Sequence, residues 1–134
     1  MKNGLVDQPA YQRHLDSLHP NLKWDLACGT EGGYLDLFLM MKDGKIEWKT
    51  FTKTPPVYLS RSSCHDPQVF KSIPTGIGYR LRITNSDNDT FNENVESYSK
   101  ALAMSGYNYQ SVKKELEKFK KIDPIELIKS DKKK

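Results

Sequence analysis

Cysteine is scarce. The 134 residues include two, Cys28 and Cys64, too few for the disulfide framework that holds small secreted domains together. The chain also lacks any apolar run near the roughly 20 residues that a bilayer-spanning helix needs. Its start, Met1-Lys2-Asn3-Gly4, has no apolar stretch of the secretory kind. These absences predict an intracellular, reduced setting with no membrane partner, in which the Asn88-Asp89-Thr90 sequon goes unused. Neither a Cys-x-x-Cys nor a His-x-x-x-His pair occurs, so no zinc site from Cys28, Cys64 and His65 is expected, and no cofactor.

What is present is ordinary for one globular domain or two small lobes: 37% hydrophobic residues and 28% charged. The net charge of +4 is unevenly spread. Residues 1–60 carry seven Lys/Arg against seven Asp/Glu, whereas residues 61–134 carry fourteen against ten. A basic second half suits a phosphate backbone or an acidic partner, and equally a solvated surface.

Periodicity divides the chain in the same place. Pro9 can open a short helix to about Leu18, with Tyr11, Leu15 and Leu18 at helical spacing and His19-Pro20-Asn21 ending it. Leu22, Trp24, Leu26 and Cys28 alternate with Lys23, Asp25 and Ala27, the period of a half-buried strand, and Gly29–Gly33 reads as a loop. Tyr34–Met41 and Lys45–Lys53 form the strongest strand pair, because Asp43-Gly44 supplies the positive φ of a tight hairpin. Neither face of the first of these strands is wholly polar, which predicts an exposed apolar sheet patch.

Pro55-Pro56 then breaks the ladder and marks a lobe boundary near residue 60. Ile73, Ile77 and Leu81 predict a helix from Pro74 to about Asn85, with Gly76 and Gly78 permitting close approach. Phe91, Val95, Tyr98 and Leu102 predict the next helix, ended by Gly106. Val112, Leu116 and Phe119 mark another, and Asp123-Pro124 caps a last short turn. The expected fold is α+β: a short N-terminal helix, a three-stranded antiparallel meander (residues 1–60), then a bundle of three to four helices (residues 61–134).

The candidate chemistry is electrostatic. The helices around Ser105-Gly106-Tyr107-Asn108 make a helix-turn-helix in the loose sense, and the second of them is basic. Lys53, Lys71, Arg80 and the face bearing Lys114, Lys118 and Lys121 are the candidates for phosphate contact. Arg80 and Arg82 lie about 200° apart around a helix, so one of the two is structural. Ser63 and His65 read as a structural corner: neighbours in one loop rarely present a nucleophile and base to each other with an orienting third group. Trp24, Trp48, Phe91, Tyr98 and Phe119 fit core positions, while Tyr58, beside Pro55-Pro56, is the aromatic that stands apart. Gly76-Ile77-Gly78-Tyr79 resembles half of a GIY-YIG nuclease motif, but the second half is missing and the segment reads as helix.

Taken in order, Gly33-Tyr34-Leu35-Asp36-Leu37, Lys53, Tyr58-Leu59, Ser63-Cys64-His65, Ile73-Pro74, Gly76 and Arg80-Leu81-Arg82 resemble the end of the palm and the thumb of reverse transcriptases of Penelope-like and related retroelements. Phe91 and Ser105-Gly106-Tyr107 continue the resemblance, which spans nearly the whole chain. The departures are Asp66 for a usual proline, Gln68 for a common histidine, and Thr84-Asn85-Ser86 for Arg-x-Cys-Ser. The resemblance implies weak, backbone-mediated grip on a duplex or RNA–DNA hybrid, with Tyr58 near the primer-gripping edge. It does not imply catalysis, because no Tyr/Phe-x-Asp-Asp motif is present and a parent polymerase needs such carboxylates to hold Mg2+. The competing expectation is a retroelement remnant that acts as a protein-interaction module, self-associating through the uncovered sheet face, or that has no function.

Overall fold

The computed structural model describes residues 7–52 and 56–132, and the chain forms two compact units, residues 1–30 and 31–134. In the first, α1 (Gln8–Ser17) starts at Asp7, whose carboxylate accepts from the Ala10 amide, with proline in the first turn. The alternating segment Leu22–Cys28 is not a strand. Its backbone is tied to α1 by side chains at helical spacing: the Trp24 amide donates to Asp16 Oδ1 at 3.0 Å, Gln8 Nε2 donates to Leu26 O at 2.8 Å, and Gln12 donates to Trp24 O. That amide bond holds the Asp16 carboxyl below its usual pKa. Trp24, expected in the core, stays 48% exposed.

The third strand comes from the glycine-rich loop instead. β1 (Glu31–Tyr34), β2 (Leu37–Lys42) and β3 (Lys45–Thr50) form an antiparallel meander in the order β1-β2-β3. Tyr34 faces Leu37, so Leu35-Asp36, read as strand, is a two-residue turn with Leu35 at φ 52°. Gly33 is where it is because the Phe51 ring lies over it: a Cβ there would come within 3.3 Å of that ring. The second turn is as anticipated, with Asp43 at φ 49° and Gly44 at φ 74°.

α2 (Pro67–Ile83) begins earlier than the pattern from Pro74 suggested. The Asp66 carboxylate accepts from the Gln68 amide at 2.7 Å and Pro67 occupies the first turn, a stronger start than Pro74, which lies inside the helix. α3 (Asn88–Met104) is capped by Asp87, α4 (Tyr109–Glu117) by Asn108, and α5 (Pro124–Asp131) by Asp123. A 3-10 helix (Lys118–Lys121) continues α4, and Tyr79 on α2 donates to Asp131 on α5 at 2.7 Å.

The core lies among these helices. Leu81, Phe91, Leu102 and Leu116 are buried to 1% exposure or less, each worth about 1.5–3 kcal/mol of apolar burial. Gly78 lets Phe119 lie on α2, since a Cβ would sit 2.5 Å from its ring. The meander belongs to the same compact unit as the helices.

The outer edge of β3 is closed by the corner between α2 and α3. Ser86 Oγ accepts from the Trp48 amide at 3.0 Å, the Ser86 amide donates to Trp48 O at 2.9 Å, and the Trp48 indole donates to Ile83 O at 2.9 Å. Asn85, fully buried, accepts from the Thr50 and Asn94 nitrogens and donates to Thr50 Oγ1 and Leu81 O. All four of its hydrogen-bonding positions are used. From Asn85 the donors run in one direction through Thr50 and Thr84 hydroxyls to Arg80 O.

Candidate nucleic-acid interface

The α3–α4 connection is fixed by backbone geometry. Gly106 adopts φ 90°; its amide donates to Ala103 O at 3.1 Å and the Tyr107 amide to Leu102 O at 3.2 Å. These are the paired bonds of a Schellman ending, which needs a left-handed residue where the glycine stands. Tyr107 then drops into the core at 8% exposure. Asn108 Oδ1 accepts from the Ser111 amide at 3.0 Å and starts α4 in a new direction.

α4 buries Val112 and Leu116 and exposes Gln110, Ser111, Lys114 and Glu117. From Lys113 to Lys121 five lysines stand against two glutamates. Lys113 is not available: with Tyr109 and Lys100 it surrounds Glu96, at 3.0 Å from Lys113, 2.7 Å from the Tyr109 hydroxyl and 3.3 Å from Lys100. The Tyr109 hydroxyl first, then Lys113, holds the Glu96 carboxyl down at about 2, and Glu96 in turn raises Lys113. Lys118 pairs with Glu115 at 2.5 Å. Lys114, Lys120 and Lys121 have no ion-pair partner among the described residues. The change to 3-10 winding puts Lys118 and Lys121, three apart, in line along the helix.

The remaining sequence-derived candidates scatter. Lys53 lies outside the described residues. Tyr58 is half-buried with its ring 6.3 Å from Tyr98, and burial first, then Tyr98, raises its pKa well above normal. It lines a groove of about 410 Å³ along α2 with Gly76 and Arg80. Arg80 bridges to Asp36 in the β1–β2 turn at 2.9 Å, both side chains more than half exposed, so the pair contributes little. Arg82 is the structural arginine: 2% exposed, over the Phe91 ring at 4.8 Å, donating to Asn85 O at 2.8 Å and Asn88 Oδ1 at 2.9 Å. Burial lowers its pKa, with Asp123 and Asp87 acting the other way.

At the corner before α2, Ser63 Oγ donates to Ser60 O at 2.8 Å and lies 3.1 Å from His65 Nδ1. Sequence reasoning placed the two at a structural corner, without a nucleophile–base contact. The ring does meet the hydroxyl, but Ser63 has a single proton and Ser60 O, an acceptor only, takes it. Among the described residues no third group bonds the His65 ring to orient it as a base toward Ser63.

Lys71 lies in a groove of about 820 Å³ between α2 and the start of α4. Residues that sequence reasoning did not single out join it there. Arg61 is anchored by its amide to Ser105 O at 2.8 Å, and its guanidinium rests over Phe70 at 5.1 Å and Tyr107 at 5.9 Å. Gln68, Asn108 and Ser111 add polar edges. The available signal was the Ser105-Gly106-Tyr107 turn, since a Cβ on Gly106 would come within 3.0 Å of Arg61 Cβ.

Among the described residues no helix is long and apolar enough to cross a membrane, and no cluster of metal-ligating side chains occurs. Residues 57–121, which take in α2, α3, α4 and the 3-10 helix, match the family model of the animal helix-turn-helix domain. No curated protein and no solved structure matches the chain.

Proposed function

We propose that residues 31–134 form a nucleic-acid-binding unit of helix-turn-helix type that holds a duplex by its phosphate backbone and has no catalysis of its own. The match of residues 57–121 to a helix-turn-helix family carries this reading. The lysines left unpaired on α4 and the 3-10 helix support it, since cations already neutralised inside the protein add little to phosphate binding. The resemblance to the thumb of retroelement reverse transcriptases extends the proposal to an RNA–DNA hybrid as the duplex, gripped by shape and charge.

The test is fluorescence anisotropy of a labelled hybrid titrated with the protein at low and physiological salt. Binding should weaken steeply as salt rises, and a Lys114→Ala, Lys118→Ala, Lys121→Ala variant should bind more weakly with a shallower salt slope. Binding indifferent to salt would sink the electrostatic mechanism.

A second reading has its own observation. Leu35 is 79% exposed, Tyr34 65% and Ile46 59%, and β1 is an edge strand of the sheet. A module that self-associates through the sheet would use this surface. Sedimentation velocity of the protein and of Leu35→Lys separates the two readings: a dimer abolished by the substitution favours the sheet, and a monomer in both cases removes it.

A further inference from the structure

The groove between α2 and the start of α4 gathers polar groups that lack partners among the described residues. Arg61 and Lys71 flank it without a carboxylate partner among the described residues. Arg61 is held in place, its amide on Ser105 O and its guanidinium over two aromatic rings. Tyr107, which lines the groove, is more than nine-tenths buried, and its hydroxyl has no hydrogen-bond partner. The one acid there, Glu115, is engaged by Lys118.

We propose that this groove seats an unpaired nucleotide at the end of the bound duplex, an inference that rests on the nucleic-acid reading above. The chemistry matches on each side. A phosphate fits the two unpaired cations, of which the fixed arginine offers a planar fork of donors. A nucleobase fits the apolar floor of Phe70, Pro74 and Val112, with Gln68, Asn108 and Ser111 at hand for its polar edge. A volume of about 820 Å³ lies within the range of small-molecule sites. A paired base in a continuous duplex could not enter, so the groove separates duplex ends carrying single strand from blunt ones. The groove also reaches Glu115, which pairs with Lys118, so it adjoins the proposed duplex face.

The experiment compares one labelled RNA–DNA hybrid in two forms, blunt and with a short single-stranded overhang, by anisotropy. Three proteins are titrated: wild type, Lys71→Glu/Ser111→Glu, and Lys114→Ala/Lys118→Ala/Lys121→Ala. All substituted residues except Lys118 lack ion pairs and all lie on exposed positions, and circular dichroism confirms that each variant is folded. The wild type should prefer the overhang by roughly tenfold, within what one stacked base supplies. The groove variant should lose that preference, whereas the lysine-face variant should weaken on both duplexes and keep the ratio. A ratio near one in the wild type, or a preference surviving in the groove variant, overturns the groove while leaving duplex binding intact. No binding to either form overturns both.

Discussion

The α2–α3 corner and the Arg61 groove are built from the same kinds of residue, amides, hydroxyls and arginine, and use them in opposite ways. At the corner Asn85 makes every hydrogen bond open to it and both terminal nitrogens of Arg82 are bonded beneath the packed Phe91 ring, its Nε alone lacking a partner. In the groove Arg61 and Lys71 meet no acid among the described residues, and the hydroxyl of Tyr107, a lining residue, is buried without a partner. Polar composition does not separate scaffold from site here; what differs is that the end of Arg82 is hydrogen-bonded within the protein whereas Arg61 and Lys71 have no ion-pair partner among the described residues. A satisfied network fixes one geometry, whereas an unsatisfied one leaves free energy to be gained from a ligand.

If that contrast is sound, Asn85→Ala should be the most damaging single change. It strips partners from the Thr50 amide, Asn94 and Leu81 O at once, costing about 3 kcal/mol in urea unfolding; a loss under about 1 kcal/mol would show that the corner is replaceable. The lysine-face triple alanine should reverse the pattern, weakening hybrid binding roughly 10–100-fold while changing unfolding free energy by within about 0.5 kcal/mol. Unfolding of that variant in parallel with its loss of binding would break the distinction. Gly106→Ala forces a left-handed alanine against Arg61 and should cost about 1–2 kcal/mol, with loss of the wild-type overhang preference if Arg61 is displaced.

The smallest expected effect is on pH. The Glu96 carboxyl is depressed from 4.5 to about 2 in the folded protein. Its contribution to stability is therefore complete above the unfolded value and disappears as pH falls from about 4.5 to about 2. Unfolding measured across that window should show a decline that Glu96→Gln removes; an unchanged slope in the variant would mean that the Tyr109 and Lys113 bonds to Glu96 do not form in solution.

Much of the architecture was legible. Asp43-Gly44, the apolar stripes of α3 and α4, Gly106 and Asp123-Pro124 each carry a local rule strong enough to survive packing. The failures share a cause. Leu22–Cys28 has the period of a strand, but its backbone groups find α1 side chains, and Gln8, Gln12 and Asp16 at spacing four were the missed sign. Pro74 looked like a helix start because the packing that tolerates a buried interior proline is not local. The site was less legible than the fold. Charge pointed to the lysines of α4, but only contacts between segments far apart in sequence reveal that Lys113 is engaged and that Arg61 is held ready.

The closure of β3 by Ser86 and Asn85 reaches into how the sheet breathes. An outermost strand ordinarily trades its amide protons with water quickly, because nothing shields one side of it. Here the Trp48 and Thr50 amides point into the helical corner, so their exchange is tied to the opening of the α2–α3 junction and not to fraying of the strand. The meander is consequently lopsided in time as well as in space: its β1 side, exposed along Glu31–Tyr34, loosens on its own, while its β3 side opens only when the helices do.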